Sequence, residues 1–199
     1  IKDYQTILDE QLYNYYGIYA SIAECNFALG NYKEALDNID RALSMIRDNA
    51  SYYVVKSKTL RALGRYDEAI KAGADGLAVD RQSNEALVEM AMGYVGVKNY
   101  EEASNLIGEA ILNDAENALY PMLRAWVLET YLNKEKPAQL LYEKVAEMDH
   151  YFIDNPLSLK GFALLFLGKE DQGKRWMQNI LDTVTDYDGL IHYYGACFY

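Results

Sequence analysis

Along residues 16–29, apolar side chains recur at helical spacing: Tyr19, Ile22, Ala23 and Phe27 share a stripe, with Ile18, Cys25 and Leu29 alongside. That period predicts an amphipathic helix. Gly30 follows, and a glycine ends a helix readily because it enters the left-handed region without steric cost. A second stripe of Ala35, Leu36, Ile39, Ala42 and Leu43 predicts a second helix. Asn31 is placed to cap it, and Glu34, three residues on, to reach back as a capping box. The two helices with their short turn predict an antiparallel hairpin.

The pattern then repeats. Tyr32-Lys33-Glu34-Ala35 returns as Tyr66-Asp67-Glu68-Ala69 and as Tyr100-Glu101-Glu102-Ala103, at a spacing of 34 residues. Gly30 returns as Gly64, Leu36 as Ile70, and Ala42 as Gly76 and Ala110. Asn99 with Glu102 restates the capping pair, whereas Arg65 breaks it in the middle copy. A fixed period in this range means stacked supersecondary units, each packing on its neighbours without a central core. Ala35, Ala69 and Ala103 are small enough to let paired helices approach closely. Gly73 and Gly76 each cost about 1 kcal/mol against alanine in a helix interior, so the expectation is a notch filled by a neighbouring tyrosine.

These columns resemble the tetratricopeptide repeat, a degenerate motif of 34 residues. In residues 16–49 its positions hold Tyr19, Ile22, Ala23, Gly30, Tyr32, Ala35, Ile39 and Ala42; in 50–83, Tyr53, Gly64, Tyr66, Ala69, Gly73 and Gly76; in 84–117, Leu87, Ala91, Lys98, Tyr100, Ala103, Ile107 and Ala110. The prolines that usually close the unit are absent. Residues 118–153 fit a fourth unit with a one-residue slip at the turn, carrying Trp126, Ala138, Tyr142 and Val145, and residues 154–187 fit a fifth. Residues 1–15 read as a partial or capping helix, and 188–199 as the first helix of a further unit. The resemblance implies an all-α fold: an α-α superhelix, or solenoid, of about five repeats across residues 1–199.

Composition narrows the partners. The formal charge is −11, from 30 acidic against 19 basic residues, so nucleic acid is not expected, since phosphate backbones are held by clustered Lys and Arg. The apolar run 162–167 is far too short to span a bilayer, and no membrane insertion is expected. The chain starts at Ile1 and ends at Tyr199 within an aromatic stretch, so it reads as a segment of a longer protein, and its compartment stays open.

No phosphate-binding, zinc-protease, nucleophile-elbow or dinucleotide motif is present. His150 beside Asp154 reads as solvated loop rather than a metal or acid–base site, and Asp186-Tyr187-Asp188-Gly189 lacks the further ligands of a calcium loop. Asp188 reads as a helix cap. Catalytic, cofactor and metal sites are therefore expected to be absent. Cys25 and Cys197 read as buried free thiols about five units apart, too far to bond, and free thiols fit a reducing compartment.

In the resembled family the first helices line the inner face, where extended peptides or helices bind. Counting non-core positions of the first helices gives a lining that includes Ala20, Glu24, Val55, Lys58, Arg61, Glu85, Glu89, Met92, Trp126, Phe162, Phe166 and Tyr193. From these, Glu24, Lys58, Glu85, Glu89, Met92, Trp126, Phe162, Phe166 and Tyr193 are the candidate partner-binding residues. The acids select a neutral, basic or apolar segment, while Lys58 and Arg61 offer a place for an isolated acid. A basic clamp for chaperone C-terminal carboxylates, known in one subgroup, is not expected, because Ala20, Glu24, Val55, Glu85 and Glu89 stand at its positions. The leading expectation is a non-enzymatic interaction scaffold. Its alternatives are a regulatory or sensory module within a larger protein, and self-association through the apolar C-terminal half.

Overall fold

The structure, a computed structural model, describes residues 16–148 and 157–183. Among the described residues there are ten helices and no strand: α1 Tyr16–Ala28, α2 Tyr32–Met45, α3 Ala50–Ala62, α4 Tyr66–Val79, α5 Asn84–Gly96, α6 Tyr100–Asn113, α7 Leu119–Thr130, α8 Glu135–Glu147, α9 Leu157–Phe166 and α10 Glu170–Thr183. No helix among them is long and apolar enough to cross a membrane. The chain divides into two compact units, residues 1–106 and 107–199, with the division inside α6.

In the first unit α1 pairs with α2 and α3 with α4, while α3 also packs on α1 and α5. The expected second-helix stripe is the buried one: Ala35, Leu36, Ile39, Ala42 and Leu43 all lie inside. They share a core with Ala20, Ala23, Tyr52, Val55, Leu60, Ala69 and Ala72. Burying a side chain such as Ile39 or Leu60 stabilises by about 1.5–3 kcal/mol over leaving it exposed. Ala35, Ala69 and Ala103 are fully buried, and Ser57 uses the close approach to donate its hydroxyl to the Ala69 carbonyl at 2.8 Å. In the second unit α7 pairs with α8 and α9 with α10, and α8 also packs on α9. Its core gathers Ala118, Ala125, Leu128, Ala138, Tyr142, Val145 and Ala163.

The turns show why the Gly column recurs. Gly30 takes φ 77°; its N–H donates to the Phe27 carbonyl and that of Asn31 to Asn26, at 3.0 and 2.9 Å. This closure satisfies the last carbonyls of the helix. The same two bonds recur at Gly64–Arg65, Lys98–Asn99 and Gly168–Lys169. At the fourth turn Asn133 takes φ 51° and Lys134 donates to Leu128, six residues back rather than five, so this turn holds one residue more.

Three expectations change. The Asn31 side chain makes no cap bond to α2 but donates to Asn26 Oδ1 at 3.4 Å, whereas Asn99 Oδ1 accepts from the Glu102 N–H at 3.4 Å. In the middle copy Arg65 forks onto Glu68 with bonds of 2.7 and 2.6 Å, so an ion pair occupies the span meant for the box. The notch at Gly76 is filled by Tyr53, but that at Gly73 is filled by Met90 of α5. Cys25 is half-buried rather than buried. Cys197, His150, Asp154 and residues 186–189 lie outside the described residues.

Candidate functional site

In the first unit the candidate residues sit on α1, α3 and α5, helices that neighbour one another. Glu24 and Glu85 are exposed, and Met92 is half-buried. The two cations are engaged within the protein. Lys58 Nζ stands 5.1 Å from the centroid of the Phe27 ring, a cation–π contact from α3 to α1. Arg61 Nε donates to Glu89 Oε2 at 3.0 Å, an ion pair from α3 to α5. Each ties one hairpin to the next, so both cations already have a partner within the protein. Ala20 and Val55 are buried, at 7% and 4% exposure, and leave the lining. Both belong to the core that α1 to α4 share. The face that remains is acidic with a partly exposed methionine.

In the second unit the candidates sit on α7 and α9. Trp126 is 38% exposed and meets the Tyr131 ring edge-on at 5.1 Å, which fixes the indole while leaving one side open. Phe162 is half-buried. Phe166, at the end of α9, is 54% exposed and stacks on Tyr142 of α8 with ring centroids 5.0 Å apart. The Tyr142 hydroxyl donates to Glu129 Oε2 of α7 at 2.8 Å. Burial, then this bond to an anion, pushes the phenol well above its ordinary range, so it stays a neutral donor. Thus α7, α8 and α9 are joined through Glu129, Tyr142 and Phe166. Tyr193 lies outside the described residues.

Sequence reasoning missed Tyr131 and Tyr142 as supports of the exposed aromatics. The signal was present in Tyr142, which stood in a second-helix core column, but nothing in spacing told that its ring would carry Phe166. No group of three or more metal-ligating side chains converges among the described residues.

Comparison with known proteins places these features. A family model described as Tetratricopeptide repeat matches residues 16–49 and 50–74. A curated relative, DnaJ homolog subfamily C member 7 homolog of Schizosaccharomyces pombe, is 31% identical over 115 residues, which is 55% of this chain and 24% of the relative. DnaJ homolog subfamily C member 7 of Mus musculus is 23% identical over 192 residues, covering 87% of this chain and 37% of the relative. The chain therefore spans well under half the length of either. Among solved structures, a thermophilic TPR protein of Thermus thermophilus, TTC0263, superposes with a TM-score of 0.68 at 17% identity, over 92% of this chain and 98% of that one. That likeness establishes the fold as a solenoid of stacked helix hairpins.

Proposed function

We propose that this chain, which belongs to the tetratricopeptide repeat family, is a non-enzymatic scaffold that holds a peptide or helical segment of a protein partner on the first-helix faces of its hairpins. The observation that carries the reading is the exposure of Trp126 and Phe166, 38% and 54%, on rings already braced by Tyr131 and Tyr142. A braced aromatic loses little conformational freedom when a partner covers it, and such anchors carry about 2 kcal/mol or more each at interfaces. On the first unit, Glu24 and Glu85 favour neutral or basic residues over acidic ones, the more so because Lys58 and Arg61 are engaged within the protein.

The test is selection of binding peptides from a displayed random library on the full chain, followed by titration of the winners against Trp126→Ala/Phe166→Ala. Both residues are substantially exposed, so the fold should survive, and circular dichroism checks that it does. The expected result is a loss of at least about thirtyfold in affinity, from about 2 kcal/mol for one anchor. Unchanged affinity in a folded double variant overturns the aromatic-face reading.

A further inference from the structure

The second unit carries a cleft that the first-helix faces do not explain. It lies where α8, α9 and α10 meet, has a volume of about 520 Å³, and is lined by Ala146, Lys160, Leu164, Gln172, Arg175 and Trp176. In a chain of net charge −11, none of the described residues lining this cleft is acidic, and two are cationic. Lys160 is fixed: its ammonium donates to the Met148 carbonyl at 3.2 Å and stands 4.5 Å from the centroid of the Trp176 ring. Arg175 is anchored through Nε to the Asp171 carbonyl at 3.1 Å. That leaves the two terminal nitrogens of its guanidinium for another acceptor. Trp176, Leu164 and Ala146 supply apolar wall.

We propose that this cleft binds an acidic peptide segment, with a Glu or Asp carboxylate on Arg175 and Gln172 and an adjacent apolar side chain against Trp176 and Ala146. The chemistry follows from the donor set. A guanidinium held at Nε still presents a pair of N–H groups to a carboxylate, and the Gln172 amide adds a neutral donor. Lys160 adds positive potential from a position that its own bonds hold. The apolar wall favours a segment with an apolar side chain beside the acid over a bare anion, since that side chain can also cover the half-buried Trp176. The site goes beyond the aromatic face proposed above and has the opposite charge preference; Trp126 and Phe166 do not line it.

The experiment is fluorescence polarisation with the full chain and a fluorescein-labelled peptide alternating Glu and Leu, beside its counterpart with Gln for Glu. The Glu peptide is expected to bind about tenfold or more tighter than the Gln peptide. Arg175→Gln should weaken it about tenfold, as loss of a charge-assisted contact does. Gln172→Ala should weaken it by about threefold, and Arg47→Gln, an exposed cation on the first unit, should leave it unchanged. Arg175 and Gln172 are both exposed, so thermal melts should show all three variants folded. Equal affinity for the two peptides overturns the proposal, as does an equal loss with Arg47→Gln, which would mean unspecific attraction. Binding to phosphatidylserine vesicles that Arg175→Gln abolishes, with no binding of the peptide, would assign the cleft to a membrane surface and overturn it too.

Discussion

Gly73 of α4 lies against the backbone of Met90 in α5: a Cβ on the glycine would stand 2.8 Å from Met90 Cβ and 3.2 Å from its Cα. The contact belongs to a series along the same two helices. Gly93 of α5 receives Ile70 of α4, and Gly96 receives the ring of Tyr66. Large residues alternate with glycines from one helix to the other, so the helices meet more closely than a pair of ordinary faces would.

Gly73→Ala tests this. Alanine should gain about 1 kcal/mol in helix propensity, but its methyl meets backbone and Cβ atoms that cannot turn aside, and overpacking costs about 1–3 kcal/mol. The expected net is a loss, read as an apparent melting temperature lower by a few degrees at about 2–4 °C per kcal/mol for a chain of this size. Gly96→Ala should also destabilise, because its methyl would overlap the Tyr66 ring down to Cγ, and that ring would have to swing toward solvent, where the residue is 36% exposed. A Gly73→Ala protein that melts at or above the parent would contradict the packing described.

The sequence already carried the parts of the fold that local geometry dictates. The recurring Gly30 and Gly64 mark left-handed turn positions, and Ala35, Ala69 and Ala103 mark helix contacts; both kinds of residue are required wherever the hairpin is made. What was not legible depends on reach between hairpins. Lys58 and Phe27 are 31 residues apart, and Arg61 and Glu89 are 28 apart, and no period announces which rotamers will meet. Arg175 and Trp176 escaped for another reason: they sit on the second helix of a hairpin, and only first-helix positions were counted as binding candidates.

The Arg61–Glu89 pair should contribute modestly to stability. The side chains are 36% and 17% exposed, so water screens the pair in part, and a coupling of about 0.5–1 kcal/mol is expected. A double-mutant cycle with Arg61→Met and Glu89→Gln in urea measures it. In 1 M salt, where the screening length falls to about 3 Å, the coupling should shrink clearly. A coupling that ignores salt would mean the two residues interact through packing.

Tyr142 should make stability depend on alkaline pH. Its folded-state pKa is raised above its ordinary value of 10.0 by burial and by Glu129. A raised pKa contributes stability that is fully present below the unfolded value and is lost as pH rises beyond it, because the unfolded phenol ionises first. The window therefore opens near pH 10. Since the chain holds 19 tyrosines, the difference between the parent and Tyr142→Phe is the readout. Below pH 9 the variant should be less stable by about 1–2 kcal/mol, for the lost bond to a carboxylate. Above pH 10 the gap should narrow, and a constant gap up to pH 11 would refute the assignment.

The last prediction concerns Lys98, which stands where the neighbouring turns have glycine. Its φ is 62°, beside 77° at Gly30, 73° at Gly64 and 70° at Gly168, and it makes the same closing bonds. A side chain in this region costs about 1–2 kcal/mol, partly offset by the greater freedom glycine has when unfolded. Lys98→Gly should therefore stabilise the protein by about 0.5–1 kcal/mol. The reverse change, Gly64→Lys, should destabilise it by a similar amount. A Cβ at Gly64 would meet nothing within 4 Å, so the loss would come from the backbone alone. Lys98 is exposed as well, so its removal should uncover no core. Chemical denaturation of both variants supplies the measurement. Opposite and nearly equal shifts confirm that the third turn tolerates its lysine at a cost in backbone energy, and shifts of the same sign would show that a side-chain contact governs one of the turns.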